Sequence, residues 1–382
     1  MDAMKIQKVV KAKLDCTEEQ ARAFGETIRI YSQALNFISE IAYENQCSNK
    51  IRLHELAYRK TRERFPELQA NHVVRAVRQV AACYRRGPRK FHKFKLSSPV
   101  ELDARTWSYR PKELAVSIST TRGRMRWIGL QAGDYGRKLL ATWDVTHSAE
   151  LIERNGDFYL YIVIEKQVTP SGINPIGVDL GMNNLATTSK GQKFSGKQAL
   201  HLRRKFLEKR RKLQAKGTRS AKRLLKRLSG RENRRMCYIN HVVSRRIVDS
   251  LQPGDVLVLE DLSGIRETVK HRKSQNYLFH SWAFYQLQKF LEYKALEKNI
   301  PVVYVDPGHT SQSCPRCGHI ESSNRNGPEF RCQKCGYYNN ADYVASYNIA
   351  SLYVGGATGC RKPASEATSD DPETALAGLT AS

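Results

Sequence analysis

Three things are missing from this sequence, and each absence excludes a class of function. No apolar run approaches the ~20 residues that cross a bilayer, and the first residues carry no signal-peptide core, so no membrane partner and a cytoplasmic location are expected. No fixed-period repeat is visible, which excludes a repeat array. Acid is scarce: 37 Asp and Glu face 64 Lys and Arg, a formal net charge of +27. A compact chain with that excess repels itself unless a polyanion neutralises it, and nucleic acid is the obvious polyanion. With 382 residues, 40% hydrophobic and 9% aromatic, there is material for two or three domains with real cores.

Nine cysteines could suggest disulfides, but four form two tight pairs, Cys314-Pro315-Arg316-Cys317-Gly318 and Cys332-Gln333-Lys334-Cys335-Gly336. In a reducing compartment a doubled CxxC reads as metal, since a redox motif does not come twice. Four thiolates close a tetrahedral shell, so the ion is structural Zn²⁺, and neighbouring His309 and His319 are not needed. Cys16, Cys47, Cys83, Cys237 and Cys360 are scattered and read as ordinary core or surface residues.

Along the chain, residues 4–14 read as a strand, and Thr17 to Gln20 fits a capping box opening a helix to about Asn45. Helical stretches follow over 53–64 and 71–86; in the latter Val73, Val77 and Val80 face inward and Arg75, Arg78, Arg85 and Arg86 outward, with Gly87-Pro88 as the stop. Residues 91–168 read as short strands and tight turns, with hairpin signals at Arg122-Gly123 and, more strongly, Asn155-Gly156. Thr169 to Gly172 makes a linker. Then come a buried-type strand ending at Asp179, a basic helical stretch, a strand ending at Glu260, a helix over about 282–299, a strand at 302–305, the cysteines, and a last helix from about Ala341. The tail 355–382 is expected to be disordered.

Asp179 and Glu260 each end an apolar strand, and Asp342 starts the last helix. A carboxylate at the tip of an otherwise buried strand is costly unless a cation meets it. A lone Asp is ordinarily a helix cap or a surface ion pair, and Asp342 alone would be read as one. Three acids from distant segments instead form an oxygen cage for Mg²⁺ or Mn²⁺, and two such ions serve phosphodiester chemistry. Asp261 is the weaker candidate, because neighbours on a strand face opposite ways.

From Arg203 to Arg235 there are sixteen Lys and Arg against Glu208 and Glu232, with leucines interspersed at helical spacing. A solvated helix face is the ordinary reading. Charge this one-sided favours direct contact with a phosphate backbone, through Arg203, Arg204, Lys205, Arg210, Arg211 and Lys212, with Arg75 and Arg78 as further contacts.

Gly177-Val178-Asp179-Leu180-Gly181, Leu259-Glu260-Asp261-Leu262, Tyr293-Lys294-Ala295, Thr310 through Gly318, Phe330 through Gly336, and Asp342 with Asn348-Ile349 together resemble TnpB, the OrfB-type protein of insertion sequences and relative of type V CRISPR effectors. The match covers residues 174–354 in order and spacing. It implies an α/β plus β-barrel fold: an RNase H-like RuvC nuclease domain (173–308 and 341–354) with an inserted zinc-ribbon target-binding module (309–340). A wedge-type β-barrel (1–16 and 90–170) with a helical recognition insertion (17–89) would precede it. It implies Asp179, Glu260 and Asp342 as catalytic metal ligands and Cys314, Cys317, Cys332 and Cys335 as zinc ligands. The implied function is cleavage of double-stranded DNA beside a short adjacent motif, directed by a guide RNA from the protein's own element, in a bacterial or archaeal nucleoid. The resemblance also admits a partner transposase from the same element. Tyr343 to Tyr347 departs from the small, Ala-rich sequence expected after the last Asp.

Three rivals stand beside this reading. A nuclease-dead RNA-guided repressor would have lost acids that are here retained. A strand-transfer transposase on the same carboxylate fold would join ends rather than leave a cut. A zinc-ribbon RNA-binding protein without chemistry leaves the strand-end acids unexplained.

Overall fold

Thr17 caps the first helix in both directions: Thr17 Oγ1 accepts from the Gln20 amide at 3.3 Å, and Gln20 Oε1 accepts from the Thr17 amide at 3.0 Å. The computed structural model describes residues 3–87, 90–262 and 284–354. Pro88, Cys360, the start of the helix expected at Trp282 and the tail 355–382 lie outside the described residues. The chain divides into two compact units, Lys5–Gln167 and a second that joins the residues before Lys5 to those from Val168 onward.

The first unit is a seven-stranded sheet in the order β2-β6-β7-β1-β5-β4-β3. Its strands are β1 (Met4–Asp15), β2 (Val100–Leu102), β3 (Trp107–Arg110), β4 (Ala115–Thr120), β5 (Gly123–Gln131), β6 (Asp144–Arg154) and β7 (Asp157–Val168). The first strand does join the sheet, between β7 and β5. Trp107 Nε1 on β3 donates to the His147 carbonyl on β6 at 2.8 Å, drawing the ends of the sheet towards closure. Both expected hairpins form. Asn155 and Gly156 have φ of 54° and 84°, the left-handed pair that a two-residue turn needs.

Between β1 and β2 run α1 (Glu18–Glu44), α2 (Lys50–Arg64) and α3 (Ala70–Arg86), and one core unites Val10, Ala12 and Leu14 with Phe24, Ile28, Leu35, Val73, Val77 and Val80. The sequence did not reveal α4 (Asp134–Thr142), a short helix inside the strand-rich region.

Arg75 corrects the expectation of an outward contact. It is 7% exposed, with Nη2 3.6 Å from Glu101 Oε2 on β2. Glu101 sits directly across from Glu150 on β6. Burial pushes Glu150 up to about 7, and Arg75 opposes that shift. The guanidinium is thus spent between two inward-facing glutamates, whereas Arg78 on the same helix is exposed.

The second unit is built on a five-stranded sheet, β10-β9-β8-β11-β12, with β8 (Gly172–Asp179), β9 (Asn184–Thr188), β10 (Lys193–Ser195), β11 (Gly254–Glu260) and β12 (Val302–Val305). β11 runs parallel to both β8 and β12, while β9 is antiparallel to β8. The expected linker is tied down: the amides of Thr169 and Ser171 donate to the Asn299 side-chain and backbone oxygens at 3.0 and 3.1 Å.

The basic stretch is two helices rather than one, α5 (Lys197–Lys216) and α6 (Arg219–Asp249). Gly217 ends the first at φ 63°, and Thr218 Oγ1 caps the second by accepting from the Ala221 amide at 3.2 Å. Then α7 (Phe284–Glu297) precedes β12, and α8 (Ala341–Val354) ends the described fold. Among the described residues no helix is long and apolar enough to cross a membrane.

Candidate active site and metal centre

The two strand-end acids are neighbours because their strands are. Val178 pairs with Leu259 in the parallel ladder, which sets Asp179 beside Glu260 at the next position. The faces follow from alternation along β11. Leu257 and Leu259 pack with Ile247, Leu287 and Leu291, while Val256 and Val258 pack with Ile349 of α8 on the other side. Glu260 continues the Val256–Val258 face, towards α8. Asp179 shares that face with Gly177, and Gly177 explains how α8 comes so close. A Cβ there would lie 2.0 Å from the Ser346 carbonyl oxygen and 2.6 Å from the Ala350 amide. Only glycine lets the helix backbone rest on β8, and that seating brings Asp342, in the first turn of α8, to the strand ends.

Two of the carboxylates act on the third. Burial, then Glu260, then Asp342 push Asp179 up to about 7, with Arg325 opposing. Glu260 is raised by burial and held back by Thr310 and Arg325. Two of the acids, Glu260 and Asp342, are also steered by neutral or cationic donors. Thr310 Oγ1 donates to Glu260 Oε1 at 2.6 Å, Asn184 Nδ2 to Asp342 Oδ2 at 2.7 Å, and Arg325 Nη2 to Asp342 Oδ1 at 3.2 Å. Arg325 and Asn184 were not singled out by sequence reasoning. An arginine in a polar turn and an asparagine at a strand start carry no local signal, since only the fold brings them to the acids.

The titration of Asp179 has a measurable consequence. Its carboxyl lies at about 7 when folded against 3.8 ordinarily, so between those values the folded state holds a proton that the unfolded chain has released. Stability from that proton is therefore lost as pH rises from about 4 to about 7. In chelator, wild-type protein should lose melting temperature over this range more steeply than Asp179→Asn, and added Mg²⁺ should stabilise it more at pH 8 than at pH 6. A wild-type curve that rises relative to the variant would contradict the repulsion described.

The cysteines form the tighter cluster. The sulfurs of Cys314, Cys317, Cys332 and Cys335 all lie within 4.8 Å of one another, the one group of three or more potential donors gathered so closely among the described residues. The Cys314–Cys335 and Cys317–Cys332 sulfurs are 3.6 Å apart. That is too long for a disulfide and near the ~3.8 Å edge of a tetrahedron with Zn–S bonds of about 2.3 Å. Gly318 and Gly336, at φ 70° and 71°, turn each knuckle. Each glycine amide donates to the carbonyl of its first cysteine, Cys314 at 2.9 Å and Cys332 at 3.0 Å. These observations fit a structural zinc ribbon, whose strands β13 (Arg325–Asn326), β14 (Glu329–Arg331) and β15 (Tyr338–Asn340) form a three-stranded sheet. His309 and His319 are engaged with Gln312 and Glu321 instead.

The ribbon and the acids share one helix. Ala341 and Val344 of α8 pack with Cys314, Phe330 and Cys332, and Asn348 Nδ2 donates to the carbonyls of Thr310 and Ser313 at 2.7 and 2.8 Å. The departure at residues 343–347 resolves into faces: Val344, Ala345 and Ser346 are buried, while Tyr347 is exposed.

On the basic hairpin, Arg204, Lys205, Arg211 and Lys212 are exposed. Arg203 corrects the expectation of a surface contact, being 2% exposed on the face that α5 turns inward. Arg210 is partly buried and paired with Glu232 of α6. The charge that faces solvent is therefore smaller than the count of basic residues.

Two stretches of the chain match known protein families. The IS605 OrfB family, described as "Probable transposase", matches residues 158–263, and the Cas12f1-like TNB domain matches residues 284–349. The chain is 46% identical over 114 residues to the CRISPR-associated endodeoxyribonuclease Cas12f1 of Sulfoacidibacillus thermotolerans. That alignment covers 29% of this chain and 26% of the relative, so the chain matches about a quarter of that protein's length. It is 30% identical over 237 residues to a TnpB-like protein of Aquifex aeolicus, covering 54% of this chain and 78% of the relative. Among solved structures it is similar to Cas12f1 from a complex with sgRNA and target DNA, with a TM-score of 0.60, 14% identity, and coverage of 87% and 83% of the two chains; this is a likeness of fold alone.

Proposed function

Because the chain belongs to the TnpB-like family, we propose that it is an RNA-guided, divalent-metal-dependent DNA endonuclease that cuts DNA complementary to its guide next to a short adjacent motif. This reading is supported by the placement of Asp179 beside Glu260 at the ends of two parallel strands, with Asp342 in the first turn of the helix seated on Gly177. The push of Glu260 and Asp342 on buried Asp179 fits a hard divalent cation, Mg²⁺ or Mn²⁺, held by carboxylate oxygens. When bound, such ions supply Lewis acidity that activates water and neutralises the oxygen leaving phosphorus. The chain's own part is to hold the acids in place. Thr310 fixes Glu260, Asn184 and Arg325 fix Asp342, and the α8 backbone on Gly177 sets the spacing. Arg325 adds a fixed positive charge that a phosphodiester meets as it approaches the acids. The exposed basic residues of α5 supply phosphate contacts that position without specifying.

Specificity then belongs to the RNA. With two guides differing only in their targeting ends and two matching duplexes, cutting should follow the guide while the protein is unchanged. Cutting that ignores the guide, or proceeds without RNA, would leave an unguided nuclease. Joined rather than cut ends would mark strand transfer.

A further inference from the structure

The outer face of the first unit's sheet carries an aromatic group with no use inside the fold. Val116 pairs with Ile128 and Ile118 with Met125, so Ser117 stands opposite two residues of β5, Arg126 and Trp127. This is a β-bulge. A regular strand would turn one of these two inward, whereas the bulge leaves both exposed. Trp127 holds φ at 59°, the left-handed region that bulky side chains avoid. Its side chain is 59% exposed, in contrast to buried Trp107 and Trp143. A tryptophan kept in a strained conformation that adds nothing to the core points to a use outside it.

Its surroundings indicate which use. The Arg110 guanidinium lies over the Trp127 ring, 4.2 Å from its centroid. Arg124 is laid across the same face, donating to Ser117 Oγ at 2.6 Å and Ser108 Oγ at 3.3 Å. Arg105, Arg110, Arg124 and Arg126 are all exposed and, among the described residues, make no ion pair; Arg122 is engaged by Glu26. An indole backed by a guanidinium and ringed by arginines offers a π-face and phosphate partners together. We infer that Trp127, backed by Arg110, is a stacking platform for an unpaired nucleobase of single-stranded nucleic acid, with Arg124 and Arg126 meeting the adjoining phosphates.

This site rests on the nucleic-acid reading above but not on guided cutting, and its test is independent of cleavage. The full-length protein is titrated with a decamer of uridine and with a decamer of abasic ribose phosphates; decathymidine and its abasic counterpart form a second arm. Wild type should prefer the base-bearing probe by about tenfold in at least one arm, and the arm that responds identifies RNA or DNA as the source of the base. Trp127→Gly should erase that preference while leaving abasic binding unchanged. It should also raise the melting temperature, since glycine adopts a φ of 59° without strain. Trp127→Tyr should keep most of the preference. A Trp127→Gly protein that retains the preference in both arms overturns the platform. So does one that loses base-bearing and abasic binding equally, because that pattern belongs to charge or fold. Guided cutting with an unchanged preference would sink the platform alone, and unguided cutting with a lost preference would sink only the guide.

Discussion

Asp179→Ala should abolish DNA cleavage, on the order of a thousandfold or more, while RNA and target binding stay near wild type. A thousandfold corresponds to about 4 kcal/mol of transition-state stabilisation, which is reasonable for a ligand that positions the reacting charge. The fold gives this variant unusual clarity. Asp179 is pushed up by burial and by two neighbouring acids, so removing it relieves repulsion in chelated protein rather than breaking a favourable contact. The variant should therefore melt no lower than metal-free wild type at pH 8, which separates lost chemistry from lost structure. EDTA should do to wild type what the substitution does. Glu260→Ala should match it, and full cutting by either variant would rule the carboxylate site out.

Cys332→Ser should have the second-largest effect, and through a different route. Wild type is expected to hold about one Zn²⁺ per chain by elemental analysis, and the variant markedly less. Structural zinc contributes on the order of 10 kcal/mol to small modules, so the ribbon should open when a buried ligand is lost. Cys332 packs with Ala341 and Val344, which flank Asp342 in the first turn of α8. Cleavage should therefore fail although no carboxylate has been touched. Hydrogen exchange should rise over residues 309–344 and little in β8 and β11. A zinc-free preparation that cuts at full rate would overturn this coupling.

Much of the candidate site is legible as a candidate because its residues sit at positions where sequence pattern is strong. Asp179 and Glu260 follow apolar runs of strand length, and the cysteine spacing states its own geometry. The capping box at Thr17 and the turn at Asn155-Gly156 are local devices and were read as such. What stayed hidden depends on contacts distant in sequence. Arg75 and Arg203 look like surface arginines until α3 and α5 are packed, because helical spacing puts them on the rim of an apolar stripe. Arg325 reaches Asp342 across a zinc module whose path no periodicity describes. The break at Gly217-Thr218 was readable, a left-handed C-cap followed by an N-cap, but the even charge on both sides obscured it.

In the proposed nuclease, the seating of α8 on β8 also sets when the centre is completed. Asn184 and Asp342 are joined across 158 residues, and the helix that carries Asp342 is the last described element of the fold. A chain emerging from the ribosome forms its local hairpins and helices first, since distant pairings wait on loop closure. Asp179 and Glu260 are both made long before their third partner. A nascent or truncated chain that stops short of Ala341 thus has the strands and two of the acids but no complete centre. If the chain cuts DNA as proposed, synthesis itself acts as a safety catch, withholding cutting power until nearly all of the described chain has been made.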